Sequence, residues 1–227
     1  MDFEKGEVLL INKPIRWTSF DVVAKLKGAL RVRKIGHAGT LDPLATGLLI
    51  LCTGKMTKQI DLYQGQEKEY TGTFRLGVTT ASYDLEQPID AHFPTEHITE
   101  ELIYENVKRF KGIVVQYPPP HSAVKVDGKR AYKIARAGKQ VHVKAREVEI
   151  KEFEITAIDF PVVFFRIVCS KGTYIRSIAH DFGKSLGSGA CLESLVRTRI
   201  GKFQLKDAME LSEFIEKNRN SDPASNS

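Results

Sequence analysis

Two periods of apolar and polar positions divide the chain. Val8 to Ile11 is a continuous apolar run that Asn12-Lys13-Pro14 stops, so a short buried strand is predicted there. A helix follows: Thr18 with Asp21 three residues on has the form of a capping box, and Val22, Val23, Leu26 and Leu30 make one apolar stripe. Gly47 to Cys52 reads as a strand buried on both faces. Residues 68 to 76 alternate, with Tyr70, Phe74 and Leu76 on one side and Glu69, Thr71, Thr73 and Arg75 on the other. A polar loop is predicted from Val78 to Pro94. After it comes a helix capped by Thr99, with Leu102, Ile103, Val107 and Phe110 as its buried face and Gly112 as its end.

The next stretch is basic. It reads as a Ser122 to Val126 strand, an Asp127-Gly128 turn and a short helix closed by Gly138. Val148 to Ile158 and Val162 to Cys169 predict two further strands. Thr173 then starts a helix whose stripe is Ile175, Ile178, Ala179, Phe182 and Leu186. A last element around Met209 to Ile215 gives way to a polar tail, 217–227, expected to be disordered. With no internal repeat, these elements predict an α+β fold with a mixed sheet.

Composition narrows the function classes. The chain has 227 residues, and 34 Lys and Arg against 28 Asp and Glu give a net charge of +6, which favours a polyanionic partner. Lys25, Lys27, Arg31, Arg33 and Lys34 crowd one side of the first helix. Cys52, Cys169 and Cys191 are widely spaced and lack the close Cys and His pairs of a zinc site, so no metal is expected and a reduced, cytoplasmic setting is. The N-terminal residues do not have the order of a signal peptide, and no apolar run approaches membrane-spanning length.

Two stretches carry chemistry. In GHAGTLDPLATG, Asp42 is the sole acidic residue, followed by Pro43. It reads either as the cap of a helical turn with proline at the first helical position, or as a reacting carboxylate. No serine or cysteine elbow accompanies His37 and Asp42, so hydrolytic chemistry is disfavoured. In CSKGTYIRS, Arg176 falls at the start of a helix, where the dipole disfavours a cation by about 0.3 to 1 kcal/mol. It is therefore an exposed side chain, the partner of a core carboxylate, or the partner of a catalytic carboxylate or phosphate.

GHAGTLDPLATG, the KEYTGTFRLG strand, PPPHSAVKVDGKRAYKIARAG and CSKGTYIRSIAHDFGKSLG occur in the order and spacing of the TruB family of bacterial tRNA pseudouridine-55 synthases. The resemblance runs from about Gly6 to Leu211. It implies the pseudouridine synthase fold, with a mixed, mostly antiparallel central sheet flanked by helices and an RNA-binding loop insertion over 118–147. That loop is expected to be mobile without RNA. It also implies isomerisation of a T-loop uridine (position 55) of tRNA: the base is flipped out, detached from its ribose nitrogen linkage, turned, and rejoined through carbon. No cofactor is implied.

Residue by residue, Asp42 matches the family's nucleophile, Arg176 the arginine that pairs with it, and Tyr70 the tyrosine that stacks on the target base. His37 matches the residue that fills the space left by the flipped uridine, and Tyr174 and Leu195 match pocket positions. Tyr70 also reads as a core aromatic in line with Phe74, His37 as a loop histidine bonded to backbone, Tyr174 as a helix-start aromatic and Leu195 as a core leucine. Lys13, Lys58, Lys125 and Arg130 are the expected phosphate contacts to the T-arm.

Where family members commonly carry a C-terminal PUA module, this sequence has its polar tail, so one catalytic domain over 1–216 without a PUA domain is expected. A monomer with no obligate protein partner and no membrane contact completes the reading. Two other functions share some of these features: a guide-dependent synthase of the dyskerin type, and a tRNA-folding chaperone in which catalysis is secondary.

Overall fold

A computed structural model of the chain describes residues 1–122, 124–126, 128–131, 134 and 143–219. It is α+β, with a mixed sheet, and the chain divides into two compact units. The first comprises Met1–Tyr70 and the chain from Val196 onward; the second is Thr71–Leu195.

In the first unit, β1 (Val8–Lys13) runs antiparallel to β3 (Ala45–Thr53), pairing Val8 with Cys52 and Lys13 with Gly47. Its other edge takes β14 (Met209–Glu210) in parallel, and β2 (Ile35–His37) adds to β3. Between β1 and β2 lies α1 (Ser19–Leu30), which carries the expected capping box: Thr18 Oγ1 accepts from the Asp21 amide, and the Asp21 carboxylate accepts from the Thr18 amide at 2.8 Å. A 3₁₀ turn (Gly54–Gln59) and α2 (Ile60–Gln64) lead to β4 (Lys68–Leu76).

The continuous apolar run of β3 follows from burial on both sides. Leu49 and Leu51 pack with Val22 and Leu26 of α1 and with Phe214 of α5 (Leu211–Arg219), while Leu48, Ile50 and Cys52 pack with Ala38, Tyr63 and Ile200. Helix α5 covers residues 217–219, which the sequence assigned to the disordered tail; residues 220–227 lie outside the described ones.

The second unit holds β5 (Val78–Thr80) and β6 (Ile89–His92), α3 (Glu100–Val107), β7 (Gly112–Gln116), β8 (Lys125–Val126) and β9 (Lys129–Arg130). After these come β10 (Arg146–Asp159), β11 (Val162–Cys169) and α4 (Ile175–Ser185). Strand β12 (Ala190–Ile200) and strand β4 each run through the unit boundary, and β13 (Phe203–Gln204) pairs with the end of β12.

Strand β10 is flanked by β7 and β11, both antiparallel. Its alternation changes phase: Val148 and Ile150 are buried, then Phe153 and Ile155, because a register shift against β11 between Ile150 and Glu152 re-aims the side chains. Five phenylalanines fill the space above. Phe74 stacks on Phe165 at 4.2 Å, and Phe153, Phe110 and Phe182 meet one another at 5.7 to 6.2 Å.

Several expectations are corrected. The predicted loop 78–94 contains the β5–β6 hairpin: β5 buries Val78 and Thr80 over only three residues, and β6 is almost wholly exposed, so neither strand is long or apolar enough to read. Leu102 is exposed; Asn106 takes the inward position on α3, its amide donating to Ser185 Oγ at 2.6 Å. Gly112 opens β7 as well as ending the preceding turn, and β12 lies in a stretch assigned no element. The Asp127 of the predicted turn, the Gly138 helix end and twelve of the thirty residues of the predicted mobile segment 118–147 lie outside the described residues. No helix among those described is long and apolar enough to cross a membrane.

Phe182 is fully buried against three other rings, those of Phe74, Phe110 and Phe153. Phe182→Ala is expected to lower unfolding free energy by about 3 to 5 kcal/mol, read from urea titration; a loss under about 1 kcal/mol would show that this cluster is not a well-packed core.

Candidate active site

Asp42 lies in the loop between β2 and β3. Its carbonyl accepts from the Ala45 amide at 3.1 Å, closing a tight turn with Pro43 in second position, and β3 begins at Ala45. A single turn forms here and no helix continues from it, since the chain passes directly into β3.

Buried side chains hold this loop by its main chain. Ser19, at the start of α1, accepts from the Leu41 amide at 2.9 Å and donates to the Leu41 carbonyl at 3.3 Å. Arg197, 1% exposed, donates through Nε to the Leu48 carbonyl at 2.8 Å and through its two terminal nitrogens to the carbonyls of Thr40 and Gly39 at 3.3 and 3.2 Å. Gly47 makes the approach possible, because a Cβ there would stand 2.4 Å from the Arg197 carbonyl oxygen. Its φ of 102° is also in the region that favours glycine.

Lys13 completes the frame and departs from expectation. The sequence reading placed it on the surface as a phosphate contact, yet it is fully buried. Its ammonium donates to the carbonyls of Trp17, Pro14 and Pro43 at 2.5, 2.9 and 3.4 Å. Three carbonyl dipoles replace the water that a lysine ordinarily keeps. Burial lowers its pKa to about 8, against the pull of the Asp42 charge and with the push of Arg197. Lys13 is thus a cation turned toward the aspartate loop. Half-buried His37 at the end of β2 is pushed below the usual imidazole range by burial; a backbone hydrogen bond with Gly39 opposes this and the Arg197 charge adds to it. Lys58 is exposed on the 3₁₀ turn, as expected of a surface contact. Tyr70 is 8% exposed on β4.

In the second unit, Arg176 is the second residue of α4 and is 4% exposed, so the exposed alternative falls. It donates to the carbonyls of Ser82 and His121 at 3.0 and 3.1 Å, and its Nε lies 3.6 Å from Asp84 Oδ2. Asp84 is a residue that the sequence reading missed. Its other carboxylate oxygen accepts from Ser82 Oγ at 2.5 Å and from the Glu86 amide at 3.0 Å. Nothing in SYDLEQ distinguishes it from a loop acid, since its partner is more than ninety residues away. Between them, Tyr83 has a φ of 65° and stacks on His180 of α4 at 4.0 Å.

Thr173 does not cap α4; its hydroxyl donates to the Ser170 carbonyl, and Tyr174 takes the cap position. Gln116, another missed residue, holds Tyr174 at both ends of its peptide unit, accepting from its amide at 2.7 Å and donating to its carbonyl at 3.0 Å. The Arg146 guanidinium lies 4.4 Å over the Tyr174 ring. Leu195 is buried on β12. The backbones of Lys125 and Arg130 pair across the β8–β9 hairpin; their side chains lie outside what is described.

The family model described as TruB family pseudouridylate synthase (N terminal domain) matches residues 27–175. Over 222 residues the chain is 56% identical to the tRNA pseudouridine synthase B of Flavobacterium johnsoniae, covering 95% of this chain and 97% of that one. Identity to the corresponding Parabacteroides distasonis protein is 55% over 227 residues, covering 96% and 97%. Among solved structures, the chain is similar to one in a Cbf5-Nop10-Gar1 complex, with a TM-score of 0.74, 30% identity, and coverage of 94% of this chain and 54% of that one. A chain of an H/ACA RNP bound to a substrate RNA containing 2'-deoxyuridine gives a TM-score of 0.71, 27% identity, and coverage of 94% and 53%. The chain therefore spans about half the length of those solved chains.

Two predictions follow from the frame. Arg197→Met keeps side-chain bulk and strands three carbonyls, so a loss of about 2 to 4 kcal/mol is expected in urea titration; an unchanged midpoint would show that the clamp contributes nothing to stability. The second concerns pH. Burial holds both His37 and His180 below the ordinary imidazole value of 6.5. The unfolded chain therefore takes up protons first as pH falls through 6.5, and stability is lost on the acid side. Tm is expected to rise from pH 5 to pH 7, with a shallower rise in His180→Gln; an identical slope in that variant would remove His180 from the account.

On the matching family model and on relatives that share half or more of its residues over nearly their whole length, the chain belongs to the TruB family of pseudouridylate synthases.

Proposed function

We propose that this protein isomerises a uridine of tRNA to pseudouridine, and that the target lies in the T-loop at position 55. Asp42 acts as the nucleophile, Tyr70 stacks on the flipped base, and Arg176 supplies a fixed cation held by Asp84. The bond between uracil N1 and ribose C1′ breaks, the uracil turns, its C5 bonds to C1′, the C5 proton leaves to solvent and N1 takes up a proton, so the product is an isomer of the uridine. His37 fills the gap left in the T-loop stack, and Tyr174 and Leu195 line the pocket. Lys58, Lys125 and Arg130 hold phosphates of the T-arm. Residues 1–216 act as one catalytic domain, in the cytoplasm, as a monomer without a protein partner.

The observation that carries this reading is the aspartate loop. A single carboxylate stands in a loop that Arg197, Lys13 and Ser19 fix through four carbonyls and one amide, and the turn at Pro43 feeds a strand instead of a helix. Preorganisation of that kind suits a nucleophile, which must meet its target without reorganising. The family relatives at 50 to 56% identity carry the name tRNA pseudouridine synthase B, whereas the Cbf5 and H/ACA structures share 27 to 30%, so the guide-dependent alternative is not favoured.

The test is tritium release from unmodified tRNA labelled at uracil C5, comparing native protein with Asp42→Asn in metal-chelating buffer. Release is expected from the native protein and a loss of at least about 10³-fold from the variant. Binding of tRNA with no release from either protein would replace this reading with that of a folding chaperone.

A further inference from the structure

Beside the aspartate loop, residues 14–18 form a short connection from β1 to α1 whose main chain is tied down. The Lys13 ammonium binds the carbonyls of Pro14 and Trp17, and the Arg16 amide donates to the Pro43 carbonyl at 2.7 Å. Pro43 is the residue after Asp42. At the centre of this connection Arg16 adopts φ 65°, a left-handed conformation that glycine takes without penalty and that other residues adopt at a cost. Its side chain is exposed, and among the described residues its guanidinium makes no ion pair. The nearest acid in sequence, Asp21, is engaged in the capping box, accepting from the Thr18 amide and from Thr18 Oγ1 at 2.6 Å. Ile15 and Phe20 on either side are 57% and 71% exposed, so the surface there is open.

A backbone conformation that favours glycine, occupied by a long cation whose guanidinium has no ion pair among the described residues, on a rigid mount one hydrogen bond from the Asp42–Pro43 turn, calls for an external anion. We infer that Arg16 binds an RNA backbone phosphate adjacent to the nucleotide presented to Asp42. The inference rests on the proposed function for the identity of the RNA. Both phosphates flanking a flipped nucleotide must pass close to the loop that receives it, and the main-chain bond to Pro43 keeps the arginine in register with that loop. Its contact positions the strand without reading its sequence.

The position supplies its own control, since Arg31 is also an exposed arginine with left-handed φ (52°) in the same unit. It caps the far end of α1, about 18 Å of helix away. Steady-state kinetics on unmodified tRNA, tRNA affinity against salt, and thermal unfolding are compared for native protein, Arg16→Gly, Arg16→Lys and Arg31→Gly. Arg16→Gly is expected to keep or raise Tm, because glycine relieves the backbone, while KM rises about 5- to 10-fold with kcat within about twofold. The slope of log affinity against log salt should fall by about 0.7 to 0.9, the mark of one lost phosphate contact. Arg16→Lys should recover most of the affinity, and Arg31→Gly should change KM less than about twofold. An unchanged KM and salt slope in Arg16→Gly, or an equal loss in Arg31→Gly, overturns the inference. A native protein that binds tRNA without forming pseudouridine overturns the proposed function instead, and the salt slopes still report on Arg16.

Discussion

A buried guanidinium whose hydrogen bonds go to main-chain carbonyls organises the aspartate loop. Arg197 lies on β12, far along the chain from the residues it holds, and reaches Gly39, Thr40 and Leu48 with three of its nitrogens. Burying an arginine costs several kcal/mol unless its donors are satisfied, so the cation specifies one loop conformation: any other leaves the charge without partners. Lys13 applies the same constraint from β1 through Pro14, Trp17 and Pro43. Ala38 and Leu41 anchor the loop in the core, and Gly39 and Thr40 between them bury no apolar side chain. The order of that pair comes from a cation that treats their carbonyls as ligands, while Gly47 lets β12 approach closely enough for Arg197 to reach them.

The second unit uses related means with different chemistry. Arg176 stands where the helix dipole repels it, and Asp84, held by Ser82 Oγ and the Glu86 amide, supplies the compensating charge. Each member of the pair would be costly to bury alone, so each fixes the other's place. Gln116 treats Tyr174 as a strand treats its neighbour, through amide and carbonyl together. Asp84, Gln116, Lys13 and Arg197 are buried polar groups that fix candidate residues through the main chain or through charge.

That design explains what the sequence disclosed. The capping box at Thr18 and Asp21 and the two-sided burial of β3 are local, and their residue types suffice. Asp42 and Arg176 stood out because each is anomalous in its setting, a lone acid beside a proline and a cation at a helix start, but their residue types left several readings open and only the family resemblance assigned them roles. Asp84, Gln116 and Arg197 were not, since a carbonyl partner leaves no residue signature and the contacts join distant parts of the chain. Lys13 was misplaced for the same reason: lysine ordinarily keeps its ammonium in water, and the three carbonyls that substitute for water are a product of the fold. The β5–β6 hairpin and β7 escaped because their outward residues, Ile89, Ile113 and Val115 among them, break the rule that alternation marks burial.

Backbone strain follows the same geography. Arg16, Arg31 and Tyr83 are the non-glycine residues with left-handed φ among those described. Arg31 ends α1, where such a conformation is the common helix stop, so its energetic cost has a local structural reason. The other two have none of that kind. Tyr83 separates Ser82 from Asp84, so the left-handed turn lets one residue's carbonyl and the other's carboxylate both face Arg176. Arg16 separates Pro14 from Trp17, whose carbonyls both face Lys13. In each case the chain reverses within a few residues so that two acceptors converge on one buried cation. A conformation that costs on the order of 1 kcal/mol is retained because the charge it helps to satisfy would cost more if left bare.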